Sequence, residues 1–292
     1  MISVIITSYK EPKTLGKAIE QVLKNNIKEK YEIIVSAPDK ETLDVARGYA
    51  KKNKRIKILQ DKGRGKPAAL NQIFQIVKGD YLILTDGDVY IDEDSIKPLL
   101  EKIKKGRFGA VTGRPCPQES RARKYGYWAN FLLEAAHQSR LIKEKNSEFM
   151  LLSGYLFAMK NFKLKIAEDA LDDAFISQLI WKNGYKIGYE PKSKVYIKNP
   201  SNFGDWIKQK RRNTAGDIKI AKYLGTIQKS RSFKKELSGF YKPFCYAENL
   251  REVSYSFHLL FARLLAWWLG FYDIKIKKKR FDKVWVRIGS TK

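Results

Sequence analysis

At 292 residues and 43% hydrophobic side chains, the chain is long enough for one large domain, or a domain with an appended segment. Its 58 Lys and Arg against 31 Asp and Glu leave a net charge of +27, which calls for a polyanionic neighbour: nucleic acid, an acidic membrane surface or a phosphorylated substrate. Cys116 and Cys245 lack metal-site spacing, so thiols in a reducing compartment are expected. The chain opens directly on "ISVIIT" without a charged-then-apolar leader, and no run of about 18 uncharged apolar residues occurs. A cytoplasmic protein without a conventional membrane span is expected.

Over residues 1–115, apolar runs alternate with helical patterns. "ISVIIT", "YEIIVSA", "RIKILQ", "DYLILT" and "GAVTGRP" read as strands, and 13–25, 40–52, 66–78 and 94–104 read as helices. Continuous apolar strands alternating with helices predict a mostly parallel α/β sheet covered on both faces. Ligands of such sheets bind beyond the C-terminal strand ends. That is where "TSYKEP", "SAPDKE", "DKGRGK" and "TDGD" fall.

Further on, a helix is expected over 120–145, then "EFMLLSGYLFAMK", a short apolar element broken by Ser153 and Gly154. "EDALDDAFISQLIWKNGYKIGYEP" predicts an acidic helix start, a helix stopped at Gly184, and a strand. Residues 201–225 read as helix carrying "WIKQKRRN", 229–243 as a mobile loop and 254–272 as a last apolar helix followed by "IKIKKKR". These patterns divide the chain into a catalytic domain, 1–225, and a basic and apolar helical extension, 226–292.

Asp86 and Asp88 flank Gly87 at a strand end over the ligand crevice. Such a pair suits Mg²⁺ or Mn²⁺, which take oxygen ligands and use only one or two carboxylates beside substrate phosphates. A solvated acidic turn is the plainer reading of the same three residues. Lys66 opens a helix, where a cation and unpaired backbone N–H groups both attract phosphate. Asp172 and Asp173 open another, where capping alone accounts for one of them. Gln209 and Arg212 share a helix face beside Arg211.

The order "TSYKEP", "GKPAALN", "TDGD", "SGYLFAMK", "LDD", "QKRRN" over residues 1–225 resembles the inverting family 2 glycosyltransferases of GT-A fold. The resemblance implies a nucleotide-sugar donor, with Thr7, Tyr9, Glu11 and Asp39 around the nucleoside and Lys66 near the nucleotide. It implies Asp86 on the nucleoside side of the donor, Asp88 on a Mg²⁺ or Mn²⁺ ion held with Asp86, and Asp173 as the general base beside Asp172. It places Gln209, Arg211 and Arg212 on the diphosphate or the acceptor, which is a glycan or a lipid-linked hydroxyl. The chain departs from the family pattern where Ala37 and Pro38 precede a single Asp39, where Asp172 replaces a frequent Glu, and where Asn213 stands in place of Trp.

In "SFHLLFARLLAWWLGFY", Phe257, Leu260, Phe261, Leu264, Leu265 and Trp268 form one broad stripe, followed by Lys275, Lys277, Lys278, Lys279 and Arg280. That pattern fits a helix in the interface of an anionic membrane at the cytoplasmic face, and a core helix is the alternative. A nucleotidyltransferase using the same crevice and a basic nucleic-acid binder are the competing functions. The scattered basic residues and the lack of a reader motif leave no nucleic acid expected.

Overall fold

Apolar runs rich in Ile, Val and Leu become the central strands, since side chains branched at Cβ pack well on a pleated surface covered on both sides. The computed structural model describes residues 1–224, 239–272 and 289–291. Its elements run β1 (Ile2–Thr7), α1 (Leu15–Lys24), β2 (Tyr31–Ala37), α2 (Lys40–Lys52), β3 (Ile56–Gln60), α3 (Lys66–Ile76), β4 (Tyr81–Asp86) and β5 (Tyr90–Ile91). They continue with α4 (Ile96–Lys105), β6 (Phe108–Pro117), α5 (Lys124–Lys145), β7 (Leu156–Lys160), α6 (Asp172–Lys182) and β8 (Lys186–Ile197). The last are α7 (Phe203–Leu224), α8 (Lys242–Tyr246) and α9 (Leu250–Phe271).

The chain packs as two compact units, residues 1–116 with 140–197, and residues 117–139 with 198–292. The first holds one sheet in the order β3-β2-β1-β4-β7-β6-β8-β5. β3, β2, β1 and β4 run parallel, while β7 joins β4 antiparallel. Every residue of β1 is buried, as is every residue of β2 after Tyr31. α1 buries Leu15, Ala18, Ile19 and Val22, one face of a 3.6-residue repeat. The expected alternation, parallel strands and covering helices are present. β5 was not anticipated: two residues are too few to show a period.

The second unit is an aromatic core. Tyr127, Trp128 and Phe131 of α5 pack with Trp206 and Ile207 of α7 and with Leu259, Ala262 and Ala266 of α9. Trp128 meets Trp206 edge-on at 5.2 Å and donates from Nε1 to the Tyr255 carbonyl at 2.8 Å. The Tyr127 hydroxyl donates to the Pro243 carbonyl at 2.6 Å, and Arg121 forks onto Glu252 at 2.9 and 2.6 Å. The division expected at 225 therefore differs from the packing. This shared core groups α7 and the start of α5 with the C-terminal helices.

α9 starts at Leu250, earlier than expected, because the Asn249 side chain accepts from the Glu252 N–H and caps it. Of the expected loop over 229–243, residues 229–238 lie outside the described residues, and Lys242 already opens α8. The "IKIKKKR" run also lies outside them.

Candidate active site

β1 and β4 are adjacent and in register, so Thr7 stands opposite Asp86 at their C-terminal ends. The Thr7 hydroxyl donates to Asp86 Oδ1 at 3.0 Å, and the Gly87 N–H donates to the Thr7 carbonyl at 2.9 Å. The chain leaving β1 then curls under the D-G-D turn. Ser8 Oγ donates to Glu11 Oε2 at 2.7 Å, and the Glu11 N–H donates to Thr42 Oγ1 at 2.9 Å. A Cβ on residue 87 would lie 2.5 Å from Ser8 Oγ and 2.8 Å from Ser8 Cβ. Only glycine lets the turn lie this close to the loop.

Lys66, the first residue of α3, reaches into the same space. Its Nζ lies 2.6 Å from Asp86 Oδ1 and 3.2 Å from Asp172 Oδ2. Burial works against the ammonium, but Asp172 and then Asp86 outweigh it and raise the Lys66 pKa well above the ordinary lysine value. One fixed positive charge thus ties the D-G-D turn to the acidic start of α6, across more than eighty residues of sequence.

Asp173 is held from the facing loop: its Oδ2 accepts the Gly154 N–H at 3.2 Å. The loop is tied down on either side. The Leu152 N–H donates to Ser177 Oγ at 2.9 Å, and the Ser153 N–H donates to Thr112 Oγ1 at 2.9 Å. Ser177 in turn donates to the Asp173 carbonyl at 2.6 Å, one helical turn back. Asn71 of α3 anchors the approach to α6. Its Nδ2 donates to the Ile166 carbonyl and its Oδ1 accepts the Ile166 N–H, both at 2.8 Å.

The remaining site candidates fall as follows. Tyr9 is exposed beside the D-G-D turn's loop, while Glu11 is buried in it. Asp39 caps α2, accepting from the Thr42 N–H at 3.0 Å and the Lys10 N–H at 2.8 Å. Burial opposes its charge, but these hydrogen bonds prevail and its pKa is lowered. Asp88 is half-buried, and its charge, after burial, helps raise the pKa of the Tyr90 phenol. Gln209, Arg211 and Arg212 are half-buried on α7, in the second unit. The first unit thus brings Thr7, Lys66, Asp86, Asp172 and Asp173 together. Sequence reasoning missed Ser8, Asn71, Thr112 and Ser177. Ser8 and Asn71 sit inside the motifs "TSYKEP" and "GKPAALN", but their tertiary partners carry no local signal.

Acidic groups gathered beyond the parallel strands of a mixed sheet give an α/β fold with a charged crevice at its ligand end. The chain belongs to glycosyl transferase family 2, whose model matches residues 3–165, more than half of its length. It is 24% identical over 247 residues to the poly-beta-1,6-N-acetyl-D-glucosamine synthase of Staphylococcus aureus strain COL, covering 79% of this chain and 58% of the synthase. It is 28% identical over 119 residues to the glycosyltransferase AglD of Haloferax volcanii, covering 38% of this chain and 19% of AglD. The chain therefore spans well under two thirds of the length of these relatives.

Among solved structures, the mannosyltransferase PcManGT from Pyrobaculum calidifontis, in complex with GDP-Man and Mn²⁺, superposes with a TM-score of 0.61 at 16% identity. That match covers 97% of this chain and 82% of PcManGT. Residues 1–349 of TarS from S. aureus, in complex with UDP-GlcNAc, give 0.55 at 15% identity, over 89% of this chain and 79% of that one.

Proposed function

We propose that the protein is an inverting glycosyltransferase that moves a sugar from a nucleoside diphosphate sugar to a hydroxyl of a glycan or lipid-linked acceptor at the cytoplasmic membrane face. The observation that carries this reading is the Lys66 bridge, 2.6 Å to Asp86 and 3.2 Å to Asp172, which draws the donor and base ends of the crevice together. Thr7, Tyr9, Glu11 and Asp39 line or shape the nucleoside end. Gln209, Arg211 and Arg212 meet the diphosphate or the acceptor, and the two arginines offset charge developing on the diphosphate.

Asp173 takes the acceptor proton as the hydroxyl oxygen attacks the anomeric carbon, on the face opposite the departing nucleoside diphosphate. The Gly154 N–H orients that carboxylate, and orientation matters because a carboxylate is a weak base toward an alcohol. The donor set also fits a hard divalent cation. Asp88 would be the principal protein ligand, with Asp86, whose Oδ1 accepts from Lys66 and Thr7, beside it. Among the described residues no group of three or more His, Cys, Asp or Glu side chains is placed to hold a metal ion by itself, and donor phosphates and water would make up the rest of the shell. Bound there, Mg²⁺ or Mn²⁺ supplies positive charge against the leaving diphosphate.

The test is release of nucleoside diphosphate from UDP-GlcNAc and GDP-Man, with Mn²⁺, with Mg²⁺ and with EDTA. Asp173→Asn should lower kcat by about 10²- to 10⁴-fold with donor affinity kept. Asp88→Ala should abolish the difference between metal and EDTA. Near-normal turnover in Asp173→Asn would remove the base assignment, and release of a sugar 1-phosphate in place of the nucleoside diphosphate would make the enzyme a nucleotidyltransferase.

A further inference from the structure

α9 is sided in an unusual way. Its buried face consists of Glu252, Ser256, Leu259, Ala262, Ala266 and Gly270, mostly small residues that let it lie close to the aromatic core of the second unit. Its phenylalanines and Trp268 point the other way. Phe257, Phe261, Leu264, Trp268 and Phe271 are 40–67% exposed and recur every three or four residues, so they form one continuous stripe. At 1.5 Å per residue the stripe runs roughly 20 Å. Phe244 of α8 meets Phe257 at 4.8 Å between ring centroids, and Phe240 and Tyr241 beside it are half exposed, so the patch extends past the helix. A contiguous apolar patch of this extent marks an interaction surface.

We infer that this stripe is a lipid-inserting face, which seats the second unit on an anionic bilayer with α9 lying in the plane of the interface. No helix among the described residues is long and apolar enough to cross a membrane, and an interfacial helix needs no such length of apolar chain. Charge decides the occupant. A second copy of a chain of net charge +27 would be repelled by the first, whereas an anionic bilayer is complementary to the chain's charge. In sequence the basic run Lys275–Arg280 follows the stripe directly. The stripe is also dominated by Phe and Trp, which suit the boundary between headgroups and acyl chains. This inference rests on the membrane location proposed above and not on the transfer chemistry, since binding is read without donor or turnover.

The experiment is co-sedimentation of the full chain with vesicles of phosphatidylcholine containing phosphatidylglycerol, and with vesicles of phosphatidylcholine alone. Binding is expected to the anionic vesicles, weakening as salt rises. The exposed-side double substitution Phe261→Ser with Trp268→Ser should reduce it about tenfold or more, with thermal unfolding little changed. A second readout is quenching of tryptophan fluorescence by brominated acyl chains, which Trp268→Phe should largely remove. Absence of binding to anionic vesicles at low salt would overturn the inference. So would unchanged binding and quenching in these variants, or a wild-type dimer that Phe261→Ser with Trp268→Ser dissociates.

Discussion

Lys66 Nζ lies 2.6 Å from Asp86 Oδ1, so the first residue of α3 neutralises the last residue of β4. Asp172, 3.2 Å away, shares the same ammonium. Lys66→Met leaves two carboxylates facing one another without a cation, and removing one member of a partly buried pair costs more than the pair itself contributes. We expect donor KM to rise at least about tenfold, with a lower melting temperature. The raised pKa of Lys66 fixes the sign with pH. Its contribution to stability is complete below the ordinary lysine value of about 10.4 and is lost only as pH climbs past it toward the folded-state value. The stability gap between wild type and variant should therefore stay constant from neutral pH to about 9 and close only in strong alkali.

Gly87→Ala tests the contact under the D-G-D turn. The new methyl would meet Ser8 Oγ at 2.5 Å and Glu11 Oε2 at 3.1 Å. Overpacking of this kind costs about 1–3 kcal/mol, readable by denaturant unfolding. Ser8→Gly in the Gly87→Ala background removes the obstructing hydroxymethyl and should recover part of the loss. A Gly87→Ala protein as stable as wild type would contradict the packing.

Asn71→Ala strips both partners from the Ile166 backbone. Leaving partly buried polar groups unpaired costs about 1–3 kcal/mol, and hydrogen exchange at the Ile166 amide should quicken accordingly. Because that segment leads to Asp172 and Asp173, kcat should fall while donor affinity holds. Loss of donor affinity alone would place Asn71 in binding instead.

Asp205 gives a pH signature in the second unit. Hydrogen bonds from Ser290, with Lys208 and Asn202, outweigh burial and lower its pKa to about 2. A carboxylate depressed on folding stabilises above its unfolded value, near 3.9, and ceases to do so as pH falls toward 2. Asp205→Asn should thus lower the melting temperature by about 2–4 °C at pH 7, and the difference should shrink between pH 4 and 2. Equal melting temperatures at pH 7 would mean that the Ser290 contact adds nothing.

Local periodicity made the first half legible. "ISVIIT" and "YEIIVSA" are strands because continuous apolar runs between helical patterns have few other ways to be buried, and the last residues of β1 and β4 then fall at the ligand end of the sheet. Asp86, Asp88, Lys66 and Asp173 could be picked out because acidic and basic groups at element ends stand against an apolar background. The partners of those groups could not. Ser8 against Gly87 and Asn71 against Ile166 are contacts of shape and backbone geometry, which no residue type announces.

The sequence alone determined the alternation of strands and helices, the family-like order of motifs and the large positive charge, since each is written in local composition and spacing. Only the tertiary structure decided which charges meet. Lys66 is twenty residues from Asp86 and more than a hundred from Asp172, yet one ammonium serves both because β4, α3 and α6 converge at one end of the sheet. The same holds for the two sides of α9. Periodicity marked a broad stripe through Phe257, Phe261, Leu264 and Trp268, but such a stripe fits a core as well as a membrane interface. The close approach to the aromatic core of the second unit chose Ala262, Ala266 and Gly270, and so turned Phe261 and Trp268 outward.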